Sequence, residues 1–222
     1  MLMPSQSPLR ILSRFLITAT VIFVVLILPW PGLRSFYAAG YRSGVDLLFR
    51  DFGKGGLVAV LPGHESGIPP PDGDRHKDTV MICLKQDVEV KEKVLAVFTD
   101  SWLTAYLPTA KLIALVLATP IAWHRRWSAL FFGLILLYGF VAARVGLLLL
   151  YAYSTPSPYR LYEPAAFWMG VLSWLRENLA LSTSALFLGP VLIWVLVTLR
   201  LDDVRKFHGG TPPAPPNERL LS

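Results

Sequence analysis

SALFFGLILLYGFVAARVGLLLLYAY, Ser128 to Tyr153, decides how this chain is read. It is apolar throughout except at its first residue and at Arg144, and it is longer than the roughly 20 residues a helix needs to cross a bilayer. A guanidinium inside hydrocarbon costs roughly 3 kcal/mol or more and persists where it faces other helices or a wet cavity. Arg144 is therefore the first candidate functional residue.

Working outward, three more apolar blocks are predicted to span as helices: Ile11 to Trp30, Leu103 to Trp123 and Ala180 to Leu199. The chain of 222 residues is 54% hydrophobic, and its charged residues make up only 16%, below the roughly 25% of soluble domains. The expected fold is a membrane α-helical protein: four transmembrane helices, with a small α+β extracytoplasmic domain between helices 1 and 2. The division is residues 1–30 (cytoplasmic N-terminus and first span), 31–102 (outer domain), 103–200 (three-helix membrane domain with spans 103–123, 128–153 and 180–199) and 201–222 (a cytoplasmic tail rich in proline, read as disordered).

Basic residues cluster on one side of these blocks: Arg10 and Arg14 before the first, His124, Arg125 and Arg126 between the second and third, Arg200, Arg205 and Lys206 after the fourth. By the positive-inside rule that side is cytoplasmic. Both termini then lie inside and the protein sits in the bacterial inner membrane as a multi-pass chain. Trp30, Trp102, Trp168 and Trp174 fall at outer ends, and Trp123 and Trp127 bracket the inner turn, as interfacial rings prefer. The net charge of +6 is explained by this flanking pattern rather than by nucleic acid. A single cysteine rules out an intrachain disulfide and any zinc cluster built on cysteines.

In the outer segment, Tyr37 to Phe52 suits a short helix. Leu57 to Leu61, Thr79 to Leu84 and Val88 to Phe98 read as strands, the last two as a hairpin turning near Gln86-Asp87. After the third block, residues 165–178 mix Phe167, Trp168, Val171 and Trp174 with Ser173, Arg176, Glu177 and Asn178, which suits a helix lying on the outer leaflet. His64, Glu65, Asp72, Asp74 and His76 are metal-capable types in one loop, but their spacing matches no metal motif. No metal and no cofactor is expected.

Lys111 lies about 12 Å in from the outer surface and Arg144 about 13 Å, at the rise of an α-helix. Two cations at one depth repel unless they point apart or share an anion. Ser182, Thr183 and Ser184 enter the fourth block from the same side. Together these five residues are the predicted ligand-binding set, an outer-leaflet pocket for a lipid phosphate or peptide carboxylate. The blander alternative has Lys111 snorkelling outward and Arg144 bonded to backbone carbonyls or Glu163. Gly139, Ala143 and Gly146, with Ala142, give the third block a small-residue face suited to close helix packing or self-association. Pro190 should kink the fourth block, a kink that either opens a cavity or is a packing detail. Cys83 between Ile82 and Leu84 is a candidate nucleophile only if a base or cation stabilises its thiolate. Asp100 and Ser101 read as a polar cap on the second block.

Ala118-Thr119-Pro120-Ile121-Ala122-Trp123-His124-Arg125-Arg126-Trp127, followed by Phe140-Val141-Ala142-Ala143-Arg144-Val145, resembles part of the exosortase/archaeosortase membrane family. The resemblance implies a basic turn between two spans, then a helix with an essential arginine, here Arg144, in a cysteine transpeptidase. The family cysteine would fall near Asp100-Ser101-Trp102, where there is none. The family histidine is missing between Asn178 and Ser184, and Ala142-Ala143 replace the polar residue before the arginine. The expected function is accordingly that of a non-catalytic integral membrane accessory or binding protein of a cell-envelope system, its partners membrane lipid and other membrane proteins. The alternative is an exosortase-like cysteine transpeptidase or protease using Cys83 and Arg144.

Overall fold

The structure is a computed structural model and describes residues 8–28, 32–53, 55–69, 77–85 and 95–198. Helix α1 (Pro8–Ile27) leads to α2 (Leu33–Phe49), then to strands β1 (Asp51–Phe52), β2 (Gly56–Pro62), β3 (Thr79–Lys85) and β4 (Leu95–Thr99). A π-helical turn (Trp102–Tyr106) runs into α3 (Leu107–Ala118). Then come α4 (Trp123–Ser154), α5 (Ala166–Leu175), a second π-helical turn (Arg176–Ala180) and α6 (Thr183–Thr198).

The described residues do not contain four membrane-spanning helices. Among them only α4 is long and apolar enough to cross a bilayer; α5 with its π turn and α6 pass the same test only as a pair, bent by 72°. The apolar part of α1, Leu12–Ile27, and the unit Trp102–Ala118 are shorter. The reasons are local. Thr119 is extended (ψ 130°), as a residue before proline prefers, so Pro120 ends α3 early. The chain between α5 and α6 breaks at Leu181-Ser182, where the last π-helical bond runs from the Leu181 N–H to the Arg176 carbonyl at 2.8 Å. Pro190 does not make that break. It is buried inside a continuous α6, and Gly189 beside it sits so close to Phe140 that a Cβ would collide with the ring; α6 approaches α4 closely there. His124, Arg125 and Arg126 form no turn either, but belong to the first turns of α4.

The four strands form an antiparallel meander in the order β1-β2-β3-β4. Leu57 pairs with Leu84 and Val58 with Cys83; Thr79 pairs with Thr99. Strands β2 and β3 cover the segments predicted for them. Strand β4 covers only the end of the third predicted one, and Gln86-Asp87, Trp30, the residues of the metal-capable loop from Asp72 to His76 and the C-terminal tail lie outside the described residues. Phe52, assigned in sequence to the helix, pairs in β1 instead.

Two cores stack along α4. The first joins Tyr41 and Val45 of α2, Val58, Met81 and Cys83 of the sheet, and Val141, Val145, Leu149 and Tyr153 of α4. The second joins Leu112 and Val116 of α3 to Ala129 and Leu137 of α4, with Ile193, Trp194 and Val197 of α6 packed on it. At 1.5 Å per residue α4 is about 48 Å long, more than the roughly 30 Å hydrocarbon layer. Its C-terminal part supplies one wall of the sheet core. A four-stranded sheet this small cannot bury its apolar face alone; α2 and α4 together cover it.

Candidate functional site: a buried guanidinium between the two cores

Arg144 lies on the buried stripe of α4, three residues after Val141 and just before Val145, so helical periodicity aims it inward. It is 3% exposed. Its Nη2 donates to the Ala180 carbonyl. That carbonyl closes the second π turn, where the break at Leu181-Ser182 leaves helix-end acceptors without backbone donors. A cation there also suits the negative end of the helix dipole. Arg144 thus caps the helical unit Ala166–Ala180 from outside.

The rest of the guanidinium is unengaged. Nε and Nη1 are buried and have no hydrogen-bond partner, and no carboxylate pairs with Arg144 among the described residues. The Phe140 ring centroid is 5.8 Å from Cζ. Glu163, one expected partner, instead pairs with Arg160 at 3.4 Å.

Two more buried groups lack a hydrogen-bond partner. The Tyr41 hydroxyl, on the buried face that Ala38, Tyr41 and Val45 give α2, is buried without a partner, as is the Thr99 hydroxyl at the end of β4. Thr99 is Tyr41's polar neighbour, yet no well-formed hydrogen bond joins them. Burial pushes the Tyr41 phenol up to about 12; the Thr99 hydroxyl and the Arg144 charge act in the opposite direction, while Asp78 and Asp100 add to the rise. At neutral pH Tyr41 is therefore a neutral donor. Among the described residues, no side-chain acceptor is hydrogen-bonded to the guanidinium or to these hydroxyls.

Asp78, Asp100 and Ser101 form an adjacent polar knot with its hydrogen bonds in place. Ser101 Oγ donates to Asp78 Oδ2 at 2.6 Å, and the Ser101 N–H to Oδ1 at 3.0 Å. Asp100, not Ser101, caps the π turn: its Oδ1 accepts from the Trp102 and Leu103 N–H groups at 2.9 and 3.2 Å. Burial raises the Asp100 carboxyl above its ordinary range, the two backbone N–H groups oppose this, and the Asp78 charge reinforces it.

The other predicted site residues do not converge on Arg144. Lys111 Nζ donates to the Phe187 carbonyl of α6 at 3.0 Å and lies 4.8 Å from the Phe187 ring centroid. Ser182 accepts from the Ala185 N–H at 3.4 Å, starting α6; Thr183 and Ser184 are exposed. The two cations do point apart, each to a backbone carbonyl of the α5–α6 limb. Cys83 is fully buried. Burial pushes its thiol up to about 12, and its polar neighbour is Tyr153, not Arg144. His64 and Glu65 form an exposed pair at 3.5 Å.

Sequence reasoning missed Tyr41 and Thr99. Tyr41 falls at helical spacing between Ala38 and Val45 and reads as core, and nothing in the pattern connects Thr99 to Arg144. Comparison with known proteins finds no matching family model, no matching curated protein and no matching solved structure.

Proposed function

We propose that this chain is a non-catalytic, membrane-seated binding protein, an accessory of the cell envelope, whose Arg144 guanidinium receives an anionic oxygen group, a carboxylate or a phosphate. The observation that carries this is the state of the guanidinium: buried, hydrogen-bonded once, with Nε and Nη1 unpartnered. Leaving buried donors unsatisfied costs about 1–3 kcal/mol each, more for charged groups. An incoming anion recovers that energy and forms charge-assisted bonds. Cys83 has no part in this reading; a buried thiol with a raised pKa is a poor nucleophile at neutral pH.

Membrane placement rests on α4. Its N-terminal end carries Arg125, Arg126 and the exposed Trp123 and Trp127; the sheet packs on its other end. With the basic end cytoplasmic, the sheet lies on the outer side of the inner membrane. Helix α5, which buries none of its residues and exposes Phe167, Trp168 and Trp174, lies on that surface.

The test is calorimetric titration of the full chain, in a non-ionic detergent, with acetate and with inorganic phosphate. Saturable binding that Arg144→Leu abolishes, in a variant still folded by circular dichroism, is the expected result. Binding unchanged in that variant contradicts the proposal, and so does its absence in the unaltered protein.

A further inference from the structure

At the end of α4 away from the sheet, α4 and α6 leave a furrow of about 300 Å³ between them. Arg125, Ser128, Ala129, Phe132 and Leu136 line it from α4, and Leu196 from α6. The α4 residues recur at three- and four-residue spacing and so form one stripe along the helix. Ala129 is buried, whereas Phe132, Leu136 and Leu196 are 57%, 42% and 67% exposed. The furrow is therefore open along its apolar length. Its polar groups gather at one end, with Arg125 and Ser128. The Thr198 hydroxyl also lies at that end and already donates to the Trp194 carbonyl at 2.6 Å. No acidic side chain among the described residues lines the furrow.

The charged end lies among the exposed rings of Trp123 and Trp127 and beside His124 and Arg126. Aromatic rings and basic side chains of this kind mark headgroup depth on the cytoplasmic side. Basic pockets between membrane helices on that side receive anionic headgroups. From Arg125 to Leu136 is about 16 Å at the rise of an α-helix, about half of the roughly 30 Å hydrocarbon layer. The furrow thus starts among headgroups and runs the depth of one leaflet.

We infer that this furrow holds an anionic phospholipid of the inner leaflet, its phosphate at Arg125 and Ser128 and one acyl chain along Phe132, Leu136 and Leu196. This rests on the membrane placement of α4 and is independent of Arg144. Charge complementarity sets the head: the one charged side chain lining the furrow is a cation. A guanidinium carries five N–H donors in a fixed fork, so Arg125 can serve a phosphate together with another acceptor, and such bonds are charge-assisted. Polarity sets the rest. A peptide strand at this depth would need partners for its backbone N–H and C=O groups, and Phe132, Leu136 and Leu196 offer none. An acyl chain needs none, and it covers apolar side chains that a free phosphate ion would leave bare.

The test is native mass spectrometry of the full chain released from non-ionic detergent, with dioleoylphosphatidylglycerol, dioleoylphosphatidylcholine and glycerol 3-phosphate as probes. Phosphatidylglycerol should bind at least fivefold more tightly than phosphatidylcholine, the effect of about one basic residue at a membrane surface. Arg125→Gln should abolish that preference, and Leu196→Ala should weaken both lipids. Arg10→Gln, on the exposed start of α1, should change neither, and glycerol 3-phosphate in tenfold excess should not displace the lipid. Equal binding of the two lipids overturns the assignment. Equal effects of Arg125→Gln and Arg10→Gln overturn it in favour of diffuse surface charge, and displacement by glycerol 3-phosphate in favour of a simple anion site. A preference that emerges only when Asp202→Asn and Asp203→Asn are combined overturns it in favour of the chain's own C-terminal segment. Dimers that Leu196→Ala disperses overturn it in favour of a second copy. Flotation of the chain with phosphatidylcholine vesicles checks the premise separately: a chain that stays at the bottom of the gradient contradicts the membrane placement of α4 itself.

Discussion

The Tyr153 hydroxyl, near the C-terminal end of α4, donates to the Leu57 carbonyl of β2 at 2.8 Å. The Leu84 carbonyl of β3, the residue paired with Leu57 across the hairpin, lies 3.1 Å from the same hydroxyl. One side chain therefore fastens both central strands to the long helix. Its ring, fully buried, stacks on Phe52 of β1 at 5.5 Å between centroids. The sheet's position on α4 depends on this joint.

Tyr153→Phe keeps the ring and removes the donor, and should destabilise the protein by about 1 kcal/mol. Tyr153→Ala also removes the packing and should cost about 3–5 kcal/mol. Urea denaturation followed by tryptophan fluorescence measures both. Equal losses for the two variants would show that ring burial contributes nothing.

Cys83 should not react with a maleimide at pH 7.5 in the folded protein, and should react fully once the chain is denatured. Its linkage to stability has a definite sign. The folded thiol is pushed up to about 12 from an ordinary 9.0, so the unfolded chain ionises first as pH rises. This group's contribution is intact below about pH 9 and is lost progressively toward pH 12, by up to about 1.4 kcal/mol per pH unit. Cys83→Ala should flatten the alkaline loss of stability in that window. Rapid native labelling at neutral pH would contradict the buried placement.

Two glycines should respond in opposite directions to alanine. Gly44 lies inside α2 with open space around it, so Gly44→Ala should stabilise by about 0.5–1 kcal/mol through helix propensity. Gly53 has φ +65°, and a Cβ there would run into the Tyr162 hydroxyl. Gly53→Ala should destabilise by more than about 1 kcal/mol. Thermal melts of the two variants check the pair.

Composition and period made α4, β2 and β3 legible, because each is an apolar run bounded by breakers. The number of spans was not legible, because apolar length and helix length differ. Leu103 to Trp123 is continuous as hydropathy, yet Pro120 stops the helix at Ala118, and Ala180 to Leu199 loses its first residues to a π turn and a break. Arg144 stood out as a charge in an apolar field. Its relation to Lys111 did not follow from shared depth, since depth along two helices says nothing about azimuth; the side chains reach Ala180 and Phe187, seven residues apart in sequence. Tyr41 and Thr99 come from α2 and β4, and only the tertiary packing of these elements buries their hydroxyls.

The most direct measurement is the Nε–H resonance of Arg144 in nitrogen-15-labelled protein in detergent micelles, identified by its loss in Arg144→Lys and followed during titration with acetate. A buried, unpaired Nε–H that accepts an anion predicts a slowly exchanging resonance that shifts saturably as acetate is added. A resonance that stays fixed across the titration while the protein remains folded would contradict an anion site at Arg144.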